Sequence, residues 1–257
     1  MSDWDLDAAQ RDALAALLLT LADDEFVLGF WDSEWTGIAP MLEEDVATSS
    51  ISQDEIGHAR AWYELLASLT DDNADRLAFG RAPEEYRHAA LLNHARTDWA
   101  FTVARRFLYE QADATRLEAL SRSSQAPVAE LAAKMRREET YHLMHFEVWL
   151  RRMAEAGGEA RRRLAEALQR LWPEAQAVLA PLFGEEALLA AGILPEPMES
   201  LRARWVERIQ ATLAANGLPQ LPAVEPDPQG RTHRTDDFAW LHGQFTMVAR
   251  SDEAATW

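Results

Sequence analysis

Gln53-Asp54-Glu55-Ile56-Gly57-His58 has a counterpart far down the chain in Arg137-Glu138-Glu139-Thr140-Tyr141-His142, and both contain Glu-x-x-His. Residues three apart on a helix share a face, so Glu55 with His58 and Glu139 with His142 each make a two-pronged set of carboxylate and imidazole. Two such sets suggest two metal ions. Four-helix bundles that hold dinuclear iron or manganese centres take a Glu-x-x-His from each of two helices and one inward carboxylate from each of the other two. The rest of the chain is therefore read for two helical hairpins and two more acids.

The helical pattern is there. Leu14, Leu17, Leu18, Leu21, Val27, Leu28 and Trp31 recur at spacings of three and four, which predicts a helix from Asp7 to about Trp35. Thr36 to Pro40 stops it, and the pattern resumes from Met41 to about Ser68. A short connection makes these two helices antiparallel neighbours. Thr70 to Glu85, rich in Asp and Arg, reads as a surface excursion. A third helix is expected to begin near Glu84, break between Asn93 and Asp98, and run on from Trp99 to Leu120. After a turn at Ser121 to Pro127, a fourth helix reaches about Ala156, with Pro127 suited to its first turn.

Beyond Gly157-Gly158, helices are expected over Glu159–Leu182, interrupted at Pro173, then over Glu185–Ala191, Glu199–Ala214 and Asp236–Arg250. An extended arm occupies Asn216–Arg234. No strand alternation or internal repeat appears. The expected fold is an all-α, ferritin-like four-helix bundle in a single domain, residues 1–257. Its core covers about 7–156 and its C-terminal helical extension about 159–257.

Matching heights on antiparallel helices supplies the two missing acids. Glu25 lies 12 residues before Gly37 and Glu55 lies 15 after Pro40, so both sit about 20 Å from the turn at about 1.5 Å per residue. Glu110 and Glu139 stand at matching distances, 11 and 12 residues, from the turn at Ser121 to Pro127. Asp24 points about 100° away from Glu25 on the helix. Glu34 and Glu118 lie too near their turns, and Asp113 is nearly a helical turn off level. The candidate ligand set is thus Glu25, Glu55, His58, Glu110, Glu139 and His142. Metal-bound imidazoles commonly donate their second N–H to a carboxylate, which makes Asp54 and Glu138 candidates for that supporting role.

One Glu-x-x-His alone is ordinarily a surface pair. Four acids and two histidines at matched heights on amphipathic helices are different, because burying them is costly unless they are paired or metal-bound. His88, His94, His145, His233 and His242 read as surface or packing residues. Gly29 and Gly57 leave room either for close helix packing or for a small molecule beside the metals.

Composition narrows the chemistry. There is no cysteine, so thiolate zinc sites, iron–sulfur clusters and disulfides are excluded, and the metal would be two iron ions or manganese. A formal net charge of -18 argues against a nucleic-acid partner. No apolar run is long enough to span a bilayer. The N-terminus carries Asp3, Asp5 and Asp7 where a secretory leader needs positive charge, so the expected location is cytoplasmic.

The run Glu34 to Asp45, the segments Leu77-Ala78-Phe79 and Trp99 to Arg105, Leu171-Trp172, Gly230 to His233 and the closing Trp257 resemble the PaaC-type ferritin-like subunit of bacterial phenylacetyl-CoA epoxidase. The resemblance covers nearly the whole chain. It implies a role in phenylacetate catabolism, within a multicomponent monooxygenase acting on an aromatic acyl-CoA substrate. That complex pairs a catalytic di-iron subunit with a related structural one, and adds a small bridging protein and an iron–sulfur flavin reductase. PaaC-type subunits are ordinarily the structural ones, with glutamine commonly where His58 stands. This chain keeps Gln-Asp-Glu-x-Gly-His and Glu-Glu-x-x-His, wording closer to the catalytic subunit. The expectation is an oxygen-dependent di-iron oxygenase subunit, paired with a related subunit or with itself. A non-catalytic scaffold and a ferritin-type iron oxidase are the competing readings.

Overall fold

The computed structural model describes residues 4–251; Asp3 and Trp257, both used in the sequence reading, lie outside them. The helices are α1 (Ala8–Ser33), α2 (Leu42–Thr70), α3 (Ala74–Phe79), α4 (Trp99–Leu120), α5 (Ala126–Ala156), α6 (Gly158–Ala175), α7 (Glu185–Ala190), α8 (Met198–Ala215) and α9 (Asp236–Ser251). No strand occurs among the described residues, as the period of the apolar pattern predicts. The chain divides into two compact units, one of residues 1–95 and 231–257 and one of residues 96–230.

In the first unit α1 packs along α2. Asp7 starts α1 with a reciprocal cap: its side chain accepts from the Gln10 N–H at 2.8 Å while Gln10 accepts from the Asp7 N–H at 3.1 Å. Thr20 to Gly29 of α1 are buried without interruption. A Cβ built on Gly29 would stand 3.0 Å from Glu55 Cβ and 2.9 Å from Ile56 Cγ1. Residue 29 therefore has no side chain because α2 occupies that space, and the close approach sets Glu55 against α1. Gly57 meets nothing within 4 Å and is exposed. Gly37, at φ 86°, makes the turn between the helices, where Asp45 of α2 accepts its N–H at 2.7 Å.

Residues 71–98 depart from the sequence reading. No helix begins near Glu84; α3 is followed by two single 3-10 turns, Pro83–Glu85 and Ala90–Leu92. Nor is Thr70 to Glu85 a surface excursion throughout, since Ala78 and Arg81 are buried, and Tyr86 and His88 just beyond it are buried as well. The physical reason lies in two adjacent acids of α1. Asp23 accepts the Arg87 N–H at 2.5 Å and Asp24 accepts the Ala89 N–H at 2.8 Å. Those peptide groups are thus satisfied by side chains, and the backbone runs extended past α1. Helix α9 closes the unit: Phe245 meets Phe26 at 5.0 Å and Phe238 meets Tyr86 at 5.5 Å between ring centres.

In the second unit α4 is the central helix, buried almost all round, with α5, α6 and α8 packed on it. Asp98 caps it, accepting the Phe101 N–H at 2.9 Å. Trp205 of α8 donates to the Leu108 carbonyl at 3.1 Å and stacks on Trp172 of α6 at 4.9 Å. Pro173 lies in the last turn of α6, which gives way to a 3-10 turn at Gln176–Leu179. The arm after α8 is held to its unit: Leu218 and Leu221 are buried, and Trp172 donates to the Pro222 carbonyl at 2.7 Å.

Candidate metal centre

All six proposed ligands are buried, none more than 5% exposed. For an ionisable side chain that is unusual unless its charge is compensated. In the first unit Glu25 comes from α1 and Glu55 and His58 from successive turns of α2. Each offers a ligand atom within 4.8 Å of the others, and His58 Nδ1 is 3.8 Å from Glu25 Oε2. The same triplet recurs in the second unit. Glu110 of α4 and Glu139 and His142 of α5 bring their ligand atoms within 4.8 Å of one another, with His142 Nδ1 3.2 Å from Glu139 Oε1.

Each triplet thus offers two carboxylates and one imidazole converging in a buried interior. Such a donor set fits iron, manganese or zinc by ligand type. The three-residue spacing does the local work: on both α2 and α5 it lines up carboxylate and ring on the buried stripe. The opposing acid is delivered by a neighbouring helix at equal height.

The rejected acids have other occupations. Asp24 accepts both guanidinium N–H groups of Arg231 at 3.0 Å. Asp113 is paired with Arg116 at 2.5 Å. Glu118 meets Arg208 at 3.0 Å, and that hydrogen bond holds its carboxyl below the usual range. Asp54 and Glu138, which were not rejected but expected to support the ligand imidazoles, are exposed and half-buried respectively.

Two features escaped the sequence reading. Arg106, one turn before Glu110 on α4, is fully buried and pairs with it at 2.5 Å, its guanidinium lying 4.9 Å from the centre of the Phe146 ring. A permanent cation thus stands beside a candidate ligand, and the i, i+4 spacing was the available signal. The other is the acid pair next to Glu25. Asp23 takes the hydroxyl of Tyr63 at 2.5 Å and Nη1 of Arg81 at 3.0 Å, so α1 carries three consecutive buried acids with different partners. Near this cluster His88 is wholly buried, with Nε2 2.8 Å from Asn93 Oδ1. Burial first, then the positive charge of Arg234, holds its ring well below the ordinary imidazole pKa.

A family model described as phenylacetic acid catabolic protein matches residues 1–257. The chain is 29% identical over 234 residues to the C subunit of 1,2-phenylacetyl-CoA epoxidase from Escherichia coli (strain K12), covering 89% of this chain and 90% of that one. It is 26% identical over 183 residues to the A subunit of the same epoxidase, covering 70% of this chain and 57% of that relative.

Proposed function

Because the chain belongs to the phenylacetic acid catabolic protein family, we propose that it is a subunit of a phenylacetyl-CoA epoxidase-type, oxygen-dependent monooxygenase and that it holds the dinuclear metal itself. The observation that carries the reading is the pair of buried Glu, Glu, His triplets, one in each unit. On this reading α1, α2, α4 and α5 make one ferritin-like four-helix domain, with α6 to α9 as its extension. Glu25, Glu55, His58, Glu110, Glu139 and His142 would be the ligands.

Two iron ions are the preferred occupants, with manganese the alternative of the same coordination preference. Iron held by these six residues would supply the dioxygen chemistry of a monooxygenase. The chain supplies the rest. Four carboxylates offset the charge of two divalent ions, and the two imidazoles bind in neutral form. Burial keeps bulk water from the reacting groups. Arg106 orients Glu110 by a fixed ion pair, and Asp54 and Glu138 would accept the second N–H of the ligand histidines.

The partners on this reading are a related ferritin-like subunit or a second copy, a reductase, a small bridging protein and an aromatic acyl-CoA. Among the described residues no helix is long and apolar enough to cross a membrane, which is consistent with a cytoplasmic complex.

A scaffold that supports a catalytic partner is the second reading. What favours it is the more extensive match to the epoxidase's C subunit than to its A subunit. Turnover separates the two. The complex reconstituted with reductant, dioxygen and phenylacetyl-CoA is expected to lose product formation when this chain carries Glu55→Ala. Full turnover with that variant would overturn the catalytic reading and leave the scaffold.

A further inference from the structure

Two stretches of the first unit, residues 81–88 and 231–234, bring four arginines together beside two acids of α1. Asp23 pairs with Arg81, and Asp24 takes Arg231 through both Nη atoms at 3.0 Å. Arg87 and Arg234 have no such partner. Arg234 donates to the carbonyls of Tyr86, Arg231 and His233, and Arg87 to those of Glu84 and Tyr86. Neither pairs with a carboxylate among the described residues. The acids nearest in sequence are engaged elsewhere or exposed. Glu85 accepts the Ala82 N–H at 2.7 Å and Asp237 the Ala95 N–H at 3.0 Å, while Glu84 and Asp236 face solvent.

Arg87, Arg231 and Arg234 are immediate neighbours. Arg231 donates to the Arg87 carbonyl at 2.8 Å and Arg234 to the Arg231 carbonyl at 2.7 Å. All three are half-buried, where an uncompensated charge is costly. Burial first, and then the like charges of Arg87 and Arg231, push the Arg234 guanidinium down to about 10, against the pull of Asp23 and Asp24. Four guanidiniums thus meet two carboxylates. A local excess of two positive charges stands on a chain of net charge -18. Like charges massed in one place destabilise a compact fold, so the surplus points to a counter-ion that is not part of the chain.

The unused donors indicate its chemistry. Arg87 bonds the protein through Nη1 alone, so its Nε and Nη2, neither of them buried, make an open fork. Such a fork matches the oxygens of a phosphate group two at a time. An excess of two charges also suits a doubly charged oxyanion better than a carboxylate, which brings one.

We propose that Arg87, Arg231 and Arg234 form a binding site for a phosphate-class dianion, free phosphate or the phosphomonoester of a small metabolite, which ties residues 231–234 to residues 81–88. The proposal is independent of the metal reading. Isothermal titration of the full-length chain with inorganic phosphate is expected to give one ion per chain at about 1 mM or tighter. The melting temperature should rise with phosphate concentration. Arg87→Gln, which removes the open fork and two bonds to local carbonyls, should weaken the affinity at least about tenfold with unchanged helix content. Arg163→Gln, at an exposed arginine of the second unit, should leave it unchanged, and acetate should not compete. AMP binding more tightly than phosphate supports the site with a phosphomonoester as its ligand; AMP binding no more tightly supports it with the free ion. No saturable phosphate binding would overturn the proposal, as would acetate binding as tightly as phosphate or an affinity unchanged in Arg87→Gln. So would an affinity lost in Glu55→Ala and kept in Arg87→Gln, which would put the ion at the metal centre.

Discussion

Arg106 and Glu110 form an ion pair with no solvent exposure on either side chain. Removing one partner of such a pair leaves a buried charge and costs about 3–5 kcal/mol. If the neighbouring carboxylates take up metal, the ion supplies the missing positive charge. Arg106→Leu is therefore expected to lower the melting temperature of the metal-free protein strongly and that of the iron-loaded protein much less, which differential scanning calorimetry on the two forms checks.

His88 gives a second prediction at this scale. Its folded-state pKa is depressed by burial and by nearby Arg234, Arg231 and Arg81, so the unfolded chain binds its proton more readily than the folded one. Its linkage then costs stability as pH falls below the ordinary imidazole value of about 6.5, and costs nothing above it. His88→Gln, which can keep an amide hydrogen bond to Asn93, should reduce the loss of melting temperature between pH 7.5 and pH 5.5. An unchanged pH slope would contradict the assignment.

Candidate ligands were legible in the sequence where period and spacing bring buried acids and imidazoles together. Glu55, His58, Glu139 and His142 follow from three-residue spacing, and Glu25 and Glu110 from counting turns away from a hairpin. Arg106 was not found, because a helical arginine four residues from a glutamate looks the same on a surface as in a core.

At the scale of elements, the four long helices were readable because each carries an apolar stripe and recognisable ends. The segment between α2 and α4 was not. Its polar residues suggested solvent, whereas Arg81, Tyr86 and His88 are buried on Asp23, Asp24 and α9. Pairings this distant in sequence leave no local period. The arm shows the same effect at Arg231, which is held by Asp24 across more than two hundred residues of chain. Arg231→Ala leaves the wholly buried Asp24 carboxylate without its bidentate cation, and a loss of about 3 kcal/mol or more follows. Chemical denaturation checks this, and a change below about 1 kcal/mol would show that the pair does not anchor the arm.

For the whole molecule, the lack of cysteine leaves carboxylates and imidazoles as the donors a metal would meet. The family resemblance seen in scattered segments is met by a family match across all 257 residues. Composition and period could not decide between a catalytic and a supporting role, since two different subunits of one epoxidase both align with this chain. That choice depends on whether two buried triplets act as one metal centre. The direct measurement is the iron content of anaerobically purified protein loaded with ferrous ion. Close to two irons per chain is expected, lost in both Glu55→Ala and His142→Ala, one variant in each triplet. A wild-type protein that stays metal-free, or retention of both irons in either variant, would contradict the account.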